Sequence, residues 1–70
     1  MMAEQFDWRD YIHADPAIMV GKPVVRGTRL TVEFVLRLLG AAWSREDIFE
    51  NYPSLTDDAL RAVLAFNADA

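Results

Sequence analysis

The fold is decided by residues 30–44, which have the sequence LTVEFVLRLLGAAWS. An apolar stripe with the helical spacing i, i+3, i+4, i+7 runs along this stretch, formed by Val32, Val35, Leu36 and Leu39. Thr31 stands just before the stripe, where its hydroxyl can cap the free N–H groups of a helix, and Gly40 is a natural stop. The pattern predicts a helix over 32–39.

This first helix carries a second apolar stripe, formed by Phe34 and Leu38, and leaves only Glu33 and Arg37 polar. A helix that is apolar nearly all round must be covered on more than one side. A second copy of the chain is the simplest cover, so we expect a homodimer.

Two more helices are predicted downstream, at about 45–51 and 57–67, with Ser44 and Thr56 in the capping positions. We assign six apolar side chains of the first and third helices to the core or the dimer face: Phe34, Leu38, Leu60, Val63, Leu64 and Phe66.

Upstream, residues 24–31 predict a β-hairpin with Gly27 and Thr28 as a type II′ turn. This register sets three residues opposite three others: Arg26 opposite Arg29, Val25 opposite Leu30, and Val24 opposite Thr31. Residues 11–13 predict a further short strand. We assign structural roles in turns and at strand ends to Gly21, Pro23 and Gly27. Glycine readily adopts a positive φ, and the missing N–H of proline does no harm at the edge of a strand.

Together these elements predict one domain over 1–70, with a mobile start at 1–10, a strand and hairpin region at 11–31 and a helical bundle at 32–68. The expected fold is mostly α: a short N-terminal β-hairpin followed by a three-helix, helix-turn-helix-like bundle of the winged or homeodomain-like kind.

Composition narrows the function classes. The chain has 70 residues and no cysteine, which excludes disulfides, thiolate zinc sites and cysteine nucleophiles. A core of this size supplies only about 3–5 kcal/mol of net stability, so help from a partner is expected. The apolar runs are far shorter than the roughly 20 residues that span a bilayer, and we expect a soluble, cytoplasmic protein that does not bind membranes.

The net charge of −4 disfavours a general nucleic-acid binder. The charge is unevenly distributed, however, because four cations, Lys22, Arg26, Arg29 and Arg37, face only Glu33 in the middle of the chain. We call these four cations the basic island.

Arginines placed directly opposite each other on a hairpin repel, so Arg26 and Arg29, with Lys22 nearby, predict a site for an anion of a partner. The Thr28 hydroxyl either donates to the same anion or simply suits the turn. The alternative is two solvated arginines splayed apart beside Asp15 or Glu33.

No catalytic or metal site emerges from the sequence. Gly21 and Lys22 lack the spacing of a phosphate-binding P-loop, and His13 with Asp15 has no nucleophile beside it. The two adjacent acidic residues at 57–58 do not indicate a metal site, because their side chains on a helix point about 100° apart. In the first turn of a helix their negative charge complements the helix dipole. We therefore expect no enzyme activity, no cofactor and no metal.

The second and third helices have helix-turn-helix proportions, which raises the question of DNA binding through the third helix. Its first turn carries Asp57 and Asp58, with only Arg61 in support, and this charge opposes contact with phosphates. If DNA is bound, the basic hairpin is the better candidate.

A run of motifs covers most of the chain. It consists of the Gly-Lys-Pro-x-x-Arg-Gly-Thr-Arg stretch at 21–29, preceded by Asp-Pro at 15–16 and followed by Trp-Ser at 43–44 and Tyr-Pro-x-Leu-Thr at 52–56. Over about 8–68 the chain resembles the bacterial domain-of-unknown-function family 433.

This resemblance implies a compact, generally dimeric domain with a hairpin and three helices. Many members are encoded beside small nuclease-like toxins and are regarded as antitoxins. The family signature falls on seven residues here: Gly21, Lys22, Pro23, Arg26, Gly27, Thr28 and Arg29. The resulting hypothesis is an antitoxin that neutralises a toxin, with its promoter DNA as a second ligand. The alternatives are a DNA-binding regulator without a protein partner and a ligand-free dimerisation module.

Overall fold

The computed structural model describes residues 6–17 and 19–69. Within them the chain forms two short strands followed by the three predicted helices: β1 (Ile12–His13), β2 (Val24–Val25), α1 (Val32–Gly40), α2 (Arg45–Asn51) and α3 (Asp57–Asp69). The second strand of the predicted hairpin is not formed as a separate element. A short 3₁₀ turn precedes each strand: Trp8–Asp10 before β1 and Met19–Gly21 before β2.

The two strands pair antiparallel, with Ile12 opposite Val25 and His13 opposite Val24. The strand predicted at 11–13 is thereby confirmed at Ile12–His13. After β2 the chain turns back, and the predicted pairing of Val24 with Thr31 is present as an isolated bridge.

The turn after β2 lies one residue earlier than predicted. The Thr28 N–H donates to the Val25 carbonyl at 3.1 Å, and Gly27 has φ +78°, so Arg26 and Gly27 are the central residues of a type II turn. The Val25 N–H donates to the Leu30 carbonyl at 2.9 Å, so the predicted opposition of Val25 and Leu30 is confirmed. Arg26 and Arg29, however, are the two ends of the loop between those residues and do not form the predicted strand pair. The reason is the Thr28 hydroxyl, which donates to the Val25 carbonyl at 2.8 Å and accepts from the Leu30 N–H at 3.0 Å.

All three helices begin where their caps predict. The Thr31 side chain accepts a hydrogen bond from the Phe34 N–H at 3.0 Å, and the Thr56 side chain accepts one from Ala59 at 3.1 Å. Ser44 forms a reciprocal capping box with Asp47. These caps satisfy backbone donors that a helix start leaves free.

Helix α1 ends differently from the prediction. Gly40 is still helical, and the positive φ, +70°, falls on Ala42. The Trp43 N–H donates to the Leu38 carbonyl at 3.1 Å and the Ala42 N–H to the Leu39 carbonyl at 3.0 Å, which is a Schellman ending with alanine in the position that favours glycine.

The core lies between the strand pair and the three helices. From α1 it takes Val32, Val35 and Leu38, while Leu36 and Leu39, predicted in the buried stripe, are only partly buried. From α3 it takes Ala59, Leu60, Ala62 and Val63. Of the six side chains assigned to a core or dimer face, Leu38, Leu60 and Val63 are buried, Phe34 and Phe66 are half-buried, and Leu64 is 46% exposed.

Residues 6–10 pack against α3. Residues 6–10, which we expected to be mobile, place the Trp8 ring edge-on to Phe66, with the centroids 4.8 Å apart. The indole N–H of Trp8 donates to Asp69 at 2.8 Å, and the Arg61 guanidinium lies 4.0 Å from the centre of the Phe6 ring. The remainder of the predicted mobile start, residues 1–5, lies outside the described residues.

In the part of the chain that the structure describes, no helix has the length and apolar character needed to cross a membrane.

Candidate functional site

Helix α1 presents a charged ridge on the side opposite its buried face. Successive helical residues are 100° apart, so Glu33 and Arg37 lie on one line, away from Val35 and Leu38 in the core. We call Glu33 and Arg37 the α1 ridge. It separates two concave surfaces, and both residues contribute to each of them.

The first concave surface is an open cleft of about 350 Å³, which we call the basic cleft. It is lined by Lys22, Arg29, Leu30, Thr31, Glu33, Phe34 and Arg37. Three positive charges face one negative charge there, so the cleft has a formal surplus of two positive charges. Such a surface attracts an anionic group of a partner.

Glu33 is shared by two of the three cations in the basic cleft. Its Oε1 lies 3.3 Å from Lys22 Nζ, and its Oε2 lies 3.4 Å from Arg37 Nη2, one helical turn away. Arg29 makes no ion pair with any residue in 6–17 or 19–69. Arg29 is therefore the cation of the cleft that no described acidic side chain pairs with.

The second concave surface is an apolar groove of about 400 Å³ on the other side of the ridge. Its walls are Pro23, Val32, Leu36 and Phe66, with the two ridge residues along one edge. Pro23 stands here because its carbonyl accepts the Val32 N–H at 3.0 Å, which brings the end of the loop beside the start of α1.

The structure separates the residues that the sequence grouped into one anion site. Lys22 and Arg29 line the basic cleft, whereas Arg26 is exposed on the turn and does not line it. The Thr28 hydroxyl hydrogen is directed to the Val25 carbonyl, so this side chain builds the turn. Gly21 and Gly27, with φ +81° and +78°, allow the backbone on both sides of β2 to bend.

Sequence reasoning placed Arg37 in the basic island but did not select it as a site residue. The sequence feature that could have identified Arg37 is its i,i+4 spacing to Glu33, which predicts an ion pair on one face of a helix. The apolar groove was missed, because Pro23 and Phe66 come from distant parts of the chain and nothing local in the sequence relates them.

Two acidic residues that the sequence analysis considered for catalysis or metal binding, Asp15 and Asp57, have partners within the fold. Asp15 accepts the N–H of Ala17 at 2.9 Å, the bond of an Asx turn. Asp57, in the first turn of α3, forms an ion pair with Arg45 of α2. Among residues 6–17 and 19–69, no three His, Cys, Asp or Glu side chains are grouped so that they could hold a metal ion.

Comparison with known proteins identifies the family. The family model described as "Protein of unknown function (DUF433)" matches residues 12–67, most of the chain. An uncharacterized protein of Sinorhizobium fredii, y4eO, is 40% identical over 53 residues, which are 76% of this chain and 24% of that protein. This chain thus spans about a quarter of that relative.

A solved structure shares the fold. The crystal structure of a DUF433 member from Anabaena variabilis superposes with a TM-score of 0.82 at 23% identity, covering 87% of this chain and 60% of that one. The family-model match over most of the chain confirms the resemblance seen in the motifs, and the protein belongs to the DUF433 family.

Proposed function

We propose that this protein is an antitoxin-like, protein-binding module that acts as a homodimer and neutralises a nuclease-like toxin. The observation that supports the proposal is the pairing of a basic cleft with an apolar groove across the α1 ridge. Protein interfaces combine apolar area, which supplies affinity, with complementary charge, which supplies specificity.

The chemistry of the cleft suits such a partner. A metal-dependent nuclease carries acidic residues at its metal site, and arginine binds carboxylates through paired N–H donors. Arg29, without an ion pair among the described residues, is the side chain we expect to make that contact. Leu64, exposed on α3, is the side chain that we expect a second copy to cover.

DNA binding is the second candidate, and it is favoured by Arg26, which is exposed on the turn and has no ion pair in 6–17 or 19–69. An exposed arginine on a turn suits contact with phosphates. Binding through α3 is disfavoured, because Asp57 and Asp58 occupy its first turn. A ligand-free dimerisation module is the third candidate.

Co-purification tests these candidates. The tagged protein and its Lys22→Ala/Arg29→Ala variant are recovered from the native host, together with Arg45→Ala, which removes a cation outside the cleft. Mass spectrometry and nucleic-acid sequencing identify the retained molecules. We expect one small protein in stoichiometric amount with the parent chain and with Arg45→Ala, and its loss from the cleft variant.

DNA without protein would favour the regulator. Recovery of no ligand with any of the three chains would contradict the proposal and favour the dimerisation module. For a DNA complex, affinity should fall steeply with salt as counterions are released, and it should fall further in Arg26→Ala.

A further inference from the structure

We propose that the partner crosses the α1 ridge with a segment that places an apolar side chain in the apolar groove and a carboxylate in the basic cleft. In the free protein, Glu33 occupies the position of that carboxylate. This inference rests on the proposed protein-binding function and specifies the chemistry that the surface recognises.

Glu33 is suited to this role because its two contacts are with cations of the cleft and are open to solvent. The side chain of Glu33 is 55% exposed, and those of Lys22 and Arg37 are 59% and 75% exposed. Ion pairs this exposed contribute little to stability, so an incoming carboxylate can replace them at small cost.

Arg29 offers the incoming carboxylate a contact that Glu33 does not make in the described structure. Glu33 already engages Lys22 and Arg37, and the formal charge of the lining remains positive by two. A partner carboxylate that contacts Arg29 adds a charge-assisted hydrogen bond which no described residue supplies. A cationic partner segment would meet repulsion at the same place.

The apolar groove defines the second point of recognition. Leu36 and Phe66 form its walls, and the α1 ridge is its shared edge with the cleft. Both surfaces flank one helix, so their separation is less than the diameter of a helix with its side chains, about 10 Å. Alternate residues of an extended chain project from the same face about 7 Å apart. An apolar residue and an acidic residue separated by a single residue therefore match this spacing.

Two blocked hexapeptides of identical composition test this spacing. In one, a leucine and an aspartate are separated by a single serine, and in the other they are adjacent, so that they project to opposite faces of an extended chain. Each is titrated into ¹⁵N-labelled protein, and the dissociation constant is obtained from amide chemical shifts. We expect the spaced peptide to bind at least threefold more tightly and to shift residues on both sides of the ridge.

Three variants assign the contacts. Arg29→Ala should weaken binding of the spaced peptide about tenfold, as expected for loss of a charge-assisted hydrogen bond. Glu33→Gln should instead tighten it, because the variant removes the competing carboxylate and keeps the side-chain shape. Arg45→Ala, which removes a cation outside the cleft, should bind as the parent chain does. The amide spectrum of each variant shows that it is folded.

Equal affinity for the two peptides, no binding of either, or weaker binding to Glu33→Gln would overturn the inference. These outcomes are separate from failure of the proposed function. A protein that co-purifies with the parent chain and is lost from the cleft variant would preserve protein binding even if the two-point recognition failed. Absence of any co-purified protein would contradict the function itself.

Discussion

Two regions of this molecule differ in how far their aromatic and charged side chains are paired: the contact of residues 6–10 with α3, and the surface beside the α1 ridge. Where residues 6–10 contact α3, the side chains have partners within the fold. Trp8 contacts Phe66 and Asp69, and the Arg61 guanidinium lies over the Phe6 ring. Beside the α1 ridge, two cations share Glu33, and Arg29 has no ion pair among the described residues. We therefore expect the first side to stabilise the domain and the second to bind the partner. Phe66 belongs to both, because it contacts Trp8 and also forms a wall of the apolar groove.

Removal of Trp8 should have the largest effect on stability, because this side chain joins the start of the chain to α3. Trp8→Ala loses an edge-on aromatic contact and a hydrogen bond to Asp69, and we expect about 2–3 kcal/mol less stability. Urea unfolding followed by circular dichroism measures this change. Asp69→Ala, which removes only the hydrogen-bond acceptor, should cost about 1 kcal/mol or less. An unchanged midpoint for Trp8→Ala would show that residues 6–10 do not stabilise the fold.

Thr28→Val should destabilise the turn by about 1–2 kcal/mol, because the Leu30 N–H loses its acceptor and the Val25 carbonyl loses one of two donors. Thr28→Ser keeps the hydroxyl and is the matched control, with a smaller expected loss. The same urea titration compares the two variants. A Thr28→Val protein as stable as Thr28→Ser would argue that the hydroxyl serves a ligand instead of the turn.

Ala42→Gly should stabilise the protein by about 1 kcal/mol, because alanine at φ +70° is strained and glycine is not. Ala41→Gly is the control, since Ala41 has φ −89° and glycine gains nothing there. Thermal unfolding should show a higher midpoint for Ala42→Gly alone. A lower midpoint would contradict the Schellman ending of α1. Binding at the ridge should not change.

Arg29→Ala should have the smallest effect on stability, within about 0.5 kcal/mol, because the side chain is exposed and has no ion pair in the described part of the chain. The same substitution should reduce partner binding. A combined measurement of the unfolding midpoint and partner retention separates the two properties. A large loss of stability would place Arg29 among the structural residues and remove the contrast between the two sides.

Features set by short-range interactions could be predicted from the sequence. Thr31, Ser44 and Thr56 cap their helices through bonds to residues three positions on, so local spacing was sufficient. The turn was misplaced by one residue because the two hydrogen bonds of Thr28 outweigh the simpler hairpin pattern.

Features set by distant contacts could not be predicted. The contact of Trp8 with Phe66 joins opposite ends of the chain, and the groove brings Pro23 beside α1 and α3. The surplus of positive charge at the anion site could be predicted from the sequence, because the basic island contains four cations and only one acidic residue. The division that places Lys22 and Arg29 in the cleft and leaves Arg26 on the turn required the structure.

Hydrogen exchange measured by mass spectrometry is the most direct test of which side binds the partner. The free protein and the complex recovered from the host are compared peptide by peptide. We expect protection on binding to concentrate in residues 22–40, which carry the α1 ridge and the residues of the basic cleft. Protection confined to residues 57–69, with 22–40 unchanged, would contradict it.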